Sequence, residues 1–179
     1  MPESANFSNI YKFYDLINTV LTLGFDKSWR SKAADNLTGT SVLDLGSGTG
    51  AAFAQLINYE TTALDPDKKM LELNIFENKV LGTAEKLPFE DKSFDNIFCS
   101  FVWRNISDTD KALGEIYRVL KPGGILALSV PRYFPELICW ILSKDYQEMP
   151  GGHVRIFRHS QLRKLATDEG LRYLSFHWA

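Results

Sequence analysis

Apolar positions recur along the chain with two periods. Between Ile10 and Val20, Tyr11, Tyr14 and several aliphatic residues fall at helical spacing, and Asp26 to Asn36 predicts a second helix ahead of the first strand. Ser41 to Leu45 is a short apolar run that stops at a glycine turn, and Gly50 to Asn58 then reads as a helix. The strand and helix alternate again, with Thr61 to Leu64, Asp67 to Asn74 and Lys79 to Gly82 as strand, helix and strand. Phe94 to Phe101 predicts a fourth strand, and Thr109 to Leu120 a helix with Ser107 and Asp108 as capping candidates. Lys121-Pro-Gly-Gly124 is expected to stop that helix, because Pro122 removes a backbone donor and the glycines accept positive φ; Ile125 to Val130 is the fifth strand. Pro131 to Gly152 is irregular but rich in aromatic and aliphatic residues, and its place after a strand's carboxyl end suits a lid. Ser160 is the expected cap of a helix to Glu169, ended by Gly170, and Leu171 to Trp178 reads as a sixth strand.

Strands alternating with helices imply an α/β fold with a parallel sheet between two helical layers. A length of 179 residues, with no repeat or linker-like tract, implies one domain over 1–179. Within it, 1–38 would be helices covering the site, 41–130 the ligand-binding core, 131–159 a lid insertion and 160–179 the last helix and strand. The composition, 45% hydrophobic and 23% charged, is that of a soluble globule. A net charge of −2 supplies no basic field for a phosphate backbone, so nucleic acid is disfavoured and small molecules are favoured as partners. Cys99 and Cys139 stand in separate apolar surroundings with no metal-ligand spacing, so no metal site is expected and both read as reduced thiols. The start of the chain lacks a secretion signal, and no run approaches the roughly 20 apolar residues of a membrane span. These features point to a cytoplasmic location.

The chemistry concentrates in Val42 to Gly50, VLDLGSGTG. At the carboxyl end of the first strand of a parallel sheet, Gly46, Gly48 and Gly50 permit a tight turn and close approach of a ligand to backbone N–H groups. Asp65 ends the second strand, at roughly the ~20-residue distance where an acid reaches ribose hydroxyls. The pair implies an adenosine-type ligand. The glycines alone fit two cofactors, since Gly46, Gly48 and Ala51 also satisfy the dinucleotide pattern. Asp44 tips the balance: a carboxylate at the strand end suits a cationic group, and S-adenosylmethionine (SAM) carries an α-ammonium and a sulfonium.

With these residues in place, the sequence resembles the class I SAM-dependent methyltransferases, most nearly their ubiquinone/menaquinone-biosynthesis C-methyltransferase branch. VLDLGSGTG resembles the cofactor loop, and the likeness continues through ALDPDKKML (63–71), GTAEKLPFEDKSFD (82–95), SFVWRNISDTDKAL (100–113) and EIYRVLKPGG (115–124). YDLINTVLTLGFDKSWR (14–30) is similar to the same enzymes. The resemblance implies a three-layer, Rossmann-like methyltransferase fold with a mostly parallel sheet. The family's usual seventh, antiparallel strand has no counterpart after strand six, so that either the form is truncated or that edge is completed some other way. The resemblance also implies that Gly46, Ser47, Gly48, Thr49 and Gly50 cradle the methionine moiety, with Asp44 near its ammonium and Asp65 on the ribose. Pro66 would pack beside adenine, with Thr83, Ala84 and Glu85 at the adenine edge. Ser100 and Phe101 would close the set at the end of strand four, Ser100 under the methyl group. Where the branch usually reads SFGLRN this chain has SFVWRN, so Val102 and Trp103 are expected to alter the substrate wall.

Methyl transfer from a sulfonium is an in-line displacement, which needs alignment, exclusion of water and a route for the acceptor's proton. The acceptor implied is a small, apolar or prenylated aromatic, methylated on carbon, with S-adenosylhomocysteine (SAH) as the other product. Arg104 is the first candidate to stabilise an oxyanion on such a ring; a surface salt bridge to Asp108 or Asp110 is the other reading of it. Tyr14 and His153 are further catalytic candidates, as a hydroxyl contact and a lid base, although both also read as packed or solvated residues. An RNA or protein methyltransferase, and a SAM-binding protein without catalysis, remain open on the same scaffold. So do peripheral membrane contact and a homodimer.

Overall fold

The computed structural model describes residues 25–130, 159–168, 170–172 and 174. Their order is α1 (Phe25–Ala34), β1 (Ser41–Leu45), α2 (Phe53–Leu56), β2 (Glu60–Asp65), α3 (Lys68–Leu73), β3 (Asn78–Leu81), β4 (Phe94–Ser100), a 3₁₀ turn (Trp103–Asn105), α4 (Thr109–Val119), β5 (Leu120–Ser129) and α5 (His159–Asp168). The five strands form one sheet in the order β3-β2-β1-β4-β5, and every pair is parallel. The chain leaves β1 toward β2 and β3, then crosses back to β4 and β5. A crevice therefore opens where the order reverses, at the carboxyl ends of β1 and β4.

Strand alternation sends neighbouring residues into two cores. Leu43, Leu45, Ile97 and Cys99 face one layer with Leu113, Ile116 and Val119 of α4. Val42, Ala63 and Phe98 face the other, with Ala34 of α1, Leu56 of α2 and Leu71 of α3. This is a three-layer α/β/α arrangement. Helix α3 starts on Asp67, whose side chain accepts the N–H groups of Lys69 and Met70, and α4 starts on Asp108, which accepts from Lys111. Ser107, the other capping candidate, instead donates its hydroxyl to Glu85.

Three boundaries differ from the sequence reading. The helix expected over Gly50 to Asn58 shrinks to four residues, because Gly50 has φ +92° and Ala52 gives no side-chain cap. Helix α4 ends at Val119, and Lys121-Pro-Gly-Gly124 lies inside β5 as a bulge: Leu120 pairs with Phe94, and the next paired residues are Ile125 and Asn96. A Cβ on Gly124 would lie 2.6 Å from the Asp95 carbonyl oxygen, so only glycine fits that close crossing. Ser160 falls inside α5 instead of capping it. The end of α5 follows expectation, with Gly170 at φ +83°. The N–H groups of Gly170 and Leu171 return to the carbonyls of Thr167 and Ala166 at 3.1 and 3.0 Å. Beyond it Leu171, Arg172 and Leu174 are not in a strand. The helix over Ile10 to Val20 and the lid lie outside the described residues, as do Tyr14, Cys139 and His153.

Candidate functional site

The crevice holds a shallow, open cleft, lined from β1 and its loop by Asp44, Gly46, Ser47 and Thr49, from α2's approach by Ala51 and Ala52, and from the end of β4 by Ser100, Phe101 and Val102. Arg30 of α1 completes the lining. Alternation along β1 puts Asp44 on the same face as Val42, a face otherwise apolar, and leaves it 3% exposed. The Ser47 hydroxyl donates to Asp44 Oδ2 at 2.6 Å. Asn74, the capping residue at the end of α3, donates in turn to Ser47 Oγ and to the Gly48 carbonyl, both at 2.8 Å. Burial pushes the Asp44 carboxyl up from 3.8 to about 6, against the opposing pull of the Ser47 hydrogen bond and the Arg30 charge.

Asp65, at the end of β2, sits behind the loop. Its Oδ2 accepts the Gly48 N–H and its Oδ1 the Asp67 N–H, each at 2.8 Å. Burial raises its carboxyl too, and these two bonds moderate the shift. The loop N–H groups are largely committed within the chain. Those of Gly46 and Ser47 go to the Leu64 carbonyl at 2.8 and 3.0 Å, and that of Gly50 goes to the Ser47 carbonyl at 2.9 Å.

Across the cleft, Phe101 has φ +62°, a left-handed conformation unusual for an aromatic residue. Its N–H donates to the Ser129 carbonyl at 3.0 Å. Its ring centroid lies 5.9 Å from that of Trp29 and 5.5 Å from Arg30 Cζ, which stands over the ring. Val102 folds over the glycine loop: a Cβ on Gly46, itself at φ +70°, would come within 2.3 Å of Val102 Cγ2. Trp103 does not form a substrate wall. Its side chain is 1% exposed in the core beneath α4, and its indole N–H finds no acceptor among the described residues.

Of the residues expected from sequence, Asp44, Gly46, Ser47, Thr49, Ser100 and Phe101 line the cleft together. Gly48, Gly50 and Asp65 stand directly behind them. Pro66 and Thr83 are exposed, and Ala84 is buried in the core under α4. Glu85 Oε1 accepts the Ser107 N–H and hydroxyl at 3.0 and 2.7 Å, anchoring the entry to α4. Burial raises the Glu85 carboxyl, but these bonds outweigh it and hold the group below its usual value. Arg104 is half-buried in the 3₁₀ turn next to Val102, off the cleft lining. Two residues of the site escaped the sequence reading, Arg30 in the cleft lining and Asn74 behind the loop. Asn74 gave no signal beyond ending a helix, and Arg30 lay in a similar stretch, SWR, with no assigned role. No cluster of His, Cys, Asp or Glu among the described residues is arranged to hold a metal ion. Nor is any helix among them long and apolar enough to cross a membrane.

The ubiquinone/menaquinone biosynthesis C-methyltransferase UbiE of Psychromonas ingrahamii is 37% identical over 161 residues, covering 78% of this chain and 62% of the relative. The demethylmenaquinone methyltransferase of Streptomyces avermitilis is 36% identical over 144 residues, with 74% and 62% coverage. The chain thus spans about three fifths of the length of these curated relatives. Among solved structures, the YcgJ protein of Bacillus subtilis matches with a TM-score of 0.64 at 29% identity, covering 80% of this chain and 67% of that one. A SAM-dependent methyltransferase of Thermotoga maritima shares the fold with a TM-score of 0.72 at 24% identity, covering 90% and 78%. The model of the ubiE/COQ5 methyltransferase family matches residues 4–151, and the chain belongs to that family.

Proposed function

We propose that this chain binds SAM in the cleft and transfers its methyl group to a carbon of a prenylated quinone precursor, leaving SAH. The observation that carries the cofactor is the state of the glycine loop. A pyrophosphate needs free N–H donors and a helix N-terminus. Here the N–H groups of Gly46, Ser47, Gly48 and Gly50 are already bonded within the chain, and α2 has only four residues. In their place stands a buried carboxyl, Asp44, raised to about 6 and fitted to a cation. The residues present therefore fit SAM better than a dinucleotide.

Asp44 would accept the α-ammonium while Ser47 and Asn74 hold its carboxylate in one orientation. Asp65 keeps lone pairs for the ribose hydroxyls while its two backbone bonds fix its plane. Pro66, Thr83, Ala84 and Glu85 would border the adenine. Ser100 and Phe101 would floor the reacting end, on the side where the acceptor enters. When bound, SAM supplies an electrophilic methyl on a sulfonium. Arg104 would favour ionisation of the acceptor's hydroxyl, which raises the nucleophilicity of the ring carbon. Tyr14 and His153 would contact or deprotonate the acceptor. The family, and the quinone-biosynthesis activities of the relatives, support this acceptor class.

The test is calorimetry with SAH and NAD, followed by transfer of labelled methyl from SAM to a demethylmenaquinone. SAH should bind, NAD should not, and label should enter the ring carbon. Binding of NAD alone would refute the cofactor, and SAH binding without transfer to any quinone precursor would refute the acceptor.

A further inference from the structure

Resting on the SAM reading above, we infer that Asn74 is a positioning residue for the cofactor's ammonium: acting through Ser47, it ties one Asp44 oxygen to the loop and reserves the other for the ligand. Asn74 is buried and is not part of the cleft lining. Its amide has one workable orientation. Oδ1 accepts the Phe76 N–H at 2.9 Å, and Nδ2 donates to the Gly48 carbonyl and to Ser47 Oγ, both at 2.8 Å. Turned over, the amide would set oxygen against carbonyl oxygen and N–H against N–H, so both donors are spent where they stand. Ser47 Oγ therefore receives a proton from Asn74 and must send its own onward. The acceptor within reach is Asp44 Oδ2, at 2.6 Å. Hydrogen bonding thus runs one way, from Asn74 through Ser47 to Asp44.

That direction decides where a proton on Asp44 goes. On Oδ2 it would meet the Ser47 hydroxyl proton head-on, so a neutral Asp44 carries it on Oδ1, the oxygen that accepts no hydrogen bond among the described residues. Oδ1 then accepts an ammonium only while the group is ionised, and each Ser47 hydrogen bond to Oδ2 favours that state. Asn74 is itself held firmly: its N–H bonds the Leu71 carbonyl at 3.2 Å, and its carbonyl accepts Lys79 Nζ. The other charged or titratable groups facing Asp44 are Arg30 from α1, Asp65 from β2 and Cys99 from β4. An arginine keeps its charge throughout, and burial holds Cys99 as a thiol. Asp65, also raised by burial, is the neighbour whose titration has to be separated from that of Asp44.

The experiment measures the affinities of the full chain for SAH and methylthioadenosine by calorimetry from pH 5 to pH 8. Both ligands carry the ribose assigned to Asp65, and only SAH has the amino-acid end, so the ratio of the two affinities follows Asp44. In wild type the ratio should fall as pH drops through about 6. Asn74→Ala lets the Ser47 hydroxyl turn away from Asp44. The midpoint should then rise by about half a pH unit or more, and the ratio at pH 7 should drop about three- to tenfold, the range of one hydrogen bond. Ser47→Ala should do the same, and adding Asn74→Ala to it should move the midpoint no further. Asn74→Ser keeps an oxygen for the Phe76 N–H and loses both amide donors, and it carries the test if the alanine variant does not fold. An unchanged midpoint in the Asn74 variants overturns the inference. So does a shift that persists undiminished in the Ser47→Ala background, or a loss shared equally by both ligands. Failure of wild type to bind either SAH or methylthioadenosine is a separate result, which overturns the SAM reading beneath it.

Discussion

Asp44→Asn should stabilise the empty protein and weaken its ligand binding. Folding raises the carboxyl from 3.8 to about 6, so between those values the native chain keeps a proton that the unfolded chain has lost. Its contribution to stability is full below pH 4 and falls as pH rises to 6. Above that the ionised group costs about 3 kcal/mol, from about 2 units at ~1.4 kcal/mol each. The figure already contains the attraction of Arg30 and the Ser47 bond. Asparagine keeps an oxygen for the Ser47 hydroxyl but carries no charge, so at pH 7.5 the variant should gain about 2–3 kcal/mol in urea unfolding and nothing at pH 4. The same change should weaken SAH binding by about 30-fold or more, the usual loss when one member of a buried charged pair is removed. Wild-type affinity for SAH should fall about tenfold from pH 7 to pH 5 as Asp44 takes up its proton, and the variant's should stay level. Urea melts and calorimetry across pH 4 to 7.5 measure both arms. A variant less stable than wild type at pH 7.5, or wild-type binding indifferent to pH, would refute the reasoning.

Three further outcomes follow from the packing. Gly46→Ala collides with Val102 and strains a φ of +70°, so it should cost about 2–4 kcal/mol in urea unfolding. Adding Val102→Gly should recover the steric part and leave about 1 kcal/mol of backbone strain. Asn74→Ala removes the donor to the Ser47 hydroxyl oxygen and the Gly48 carbonyl and the acceptor of the Phe76 N–H together. It should lose about 1–3 kcal/mol of stability and weaken SAH binding, read by melting and calorimetry on the same sample. Arg118 donates to the carbonyls of Phe89 and Leu87 at 2.8 and 3.0 Å and pairs with Glu115 and Asp91. It is about a third exposed, so Arg118→Met should cost only about 1–2 kcal/mol by urea titration and leave SAH affinity unchanged.

Strands β1 and β2 were legible because apolar residues in each run up to a turn at the carboxyl end. Ser41 to Leu45 agrees residue for residue, and Asp67 and Asn74 flank α3 as the polar ends of an apolar segment. GAAFAQLIN misled for a physical reason: its composition favours a helix, but Gly50 must hold a left-handed turn for the loop, which delays the helix and leaves it uncapped. The KPGG segment misled differently. Proline and glycine mark a departure from helix, but the same residues also make a bulge, and only pairing with β4 distinguishes the two. In the site, Asp44 and the loop glycines were legible because they are adjacent in sequence. Arg30 and Asn74 reach the loop from sequence distances that carry no local pattern, and their positions follow from the packing of α1 and α3.

The side of the cleft formed by the end of β4 is where the fold holds strain. A left-handed phenylalanine costs about 1–2 kcal/mol and persists only where its surroundings over-determine it. Phe101 is held on three sides, by its N–H bond to Ser129, by the Trp29 ring and by the Arg30 guanidinium. That conformation turns the chain sharply out of β4, so that Val102 closes on Gly46 and Trp103 turns inward to the core. A glycine at 102 would leave the loop uncovered there, whereas valine fills the space above it. The wall of the cleft beside the glycine loop is therefore shaped at Val102 and Phe101, and Trp103, buried in the core, anchors the turn that carries Arg104.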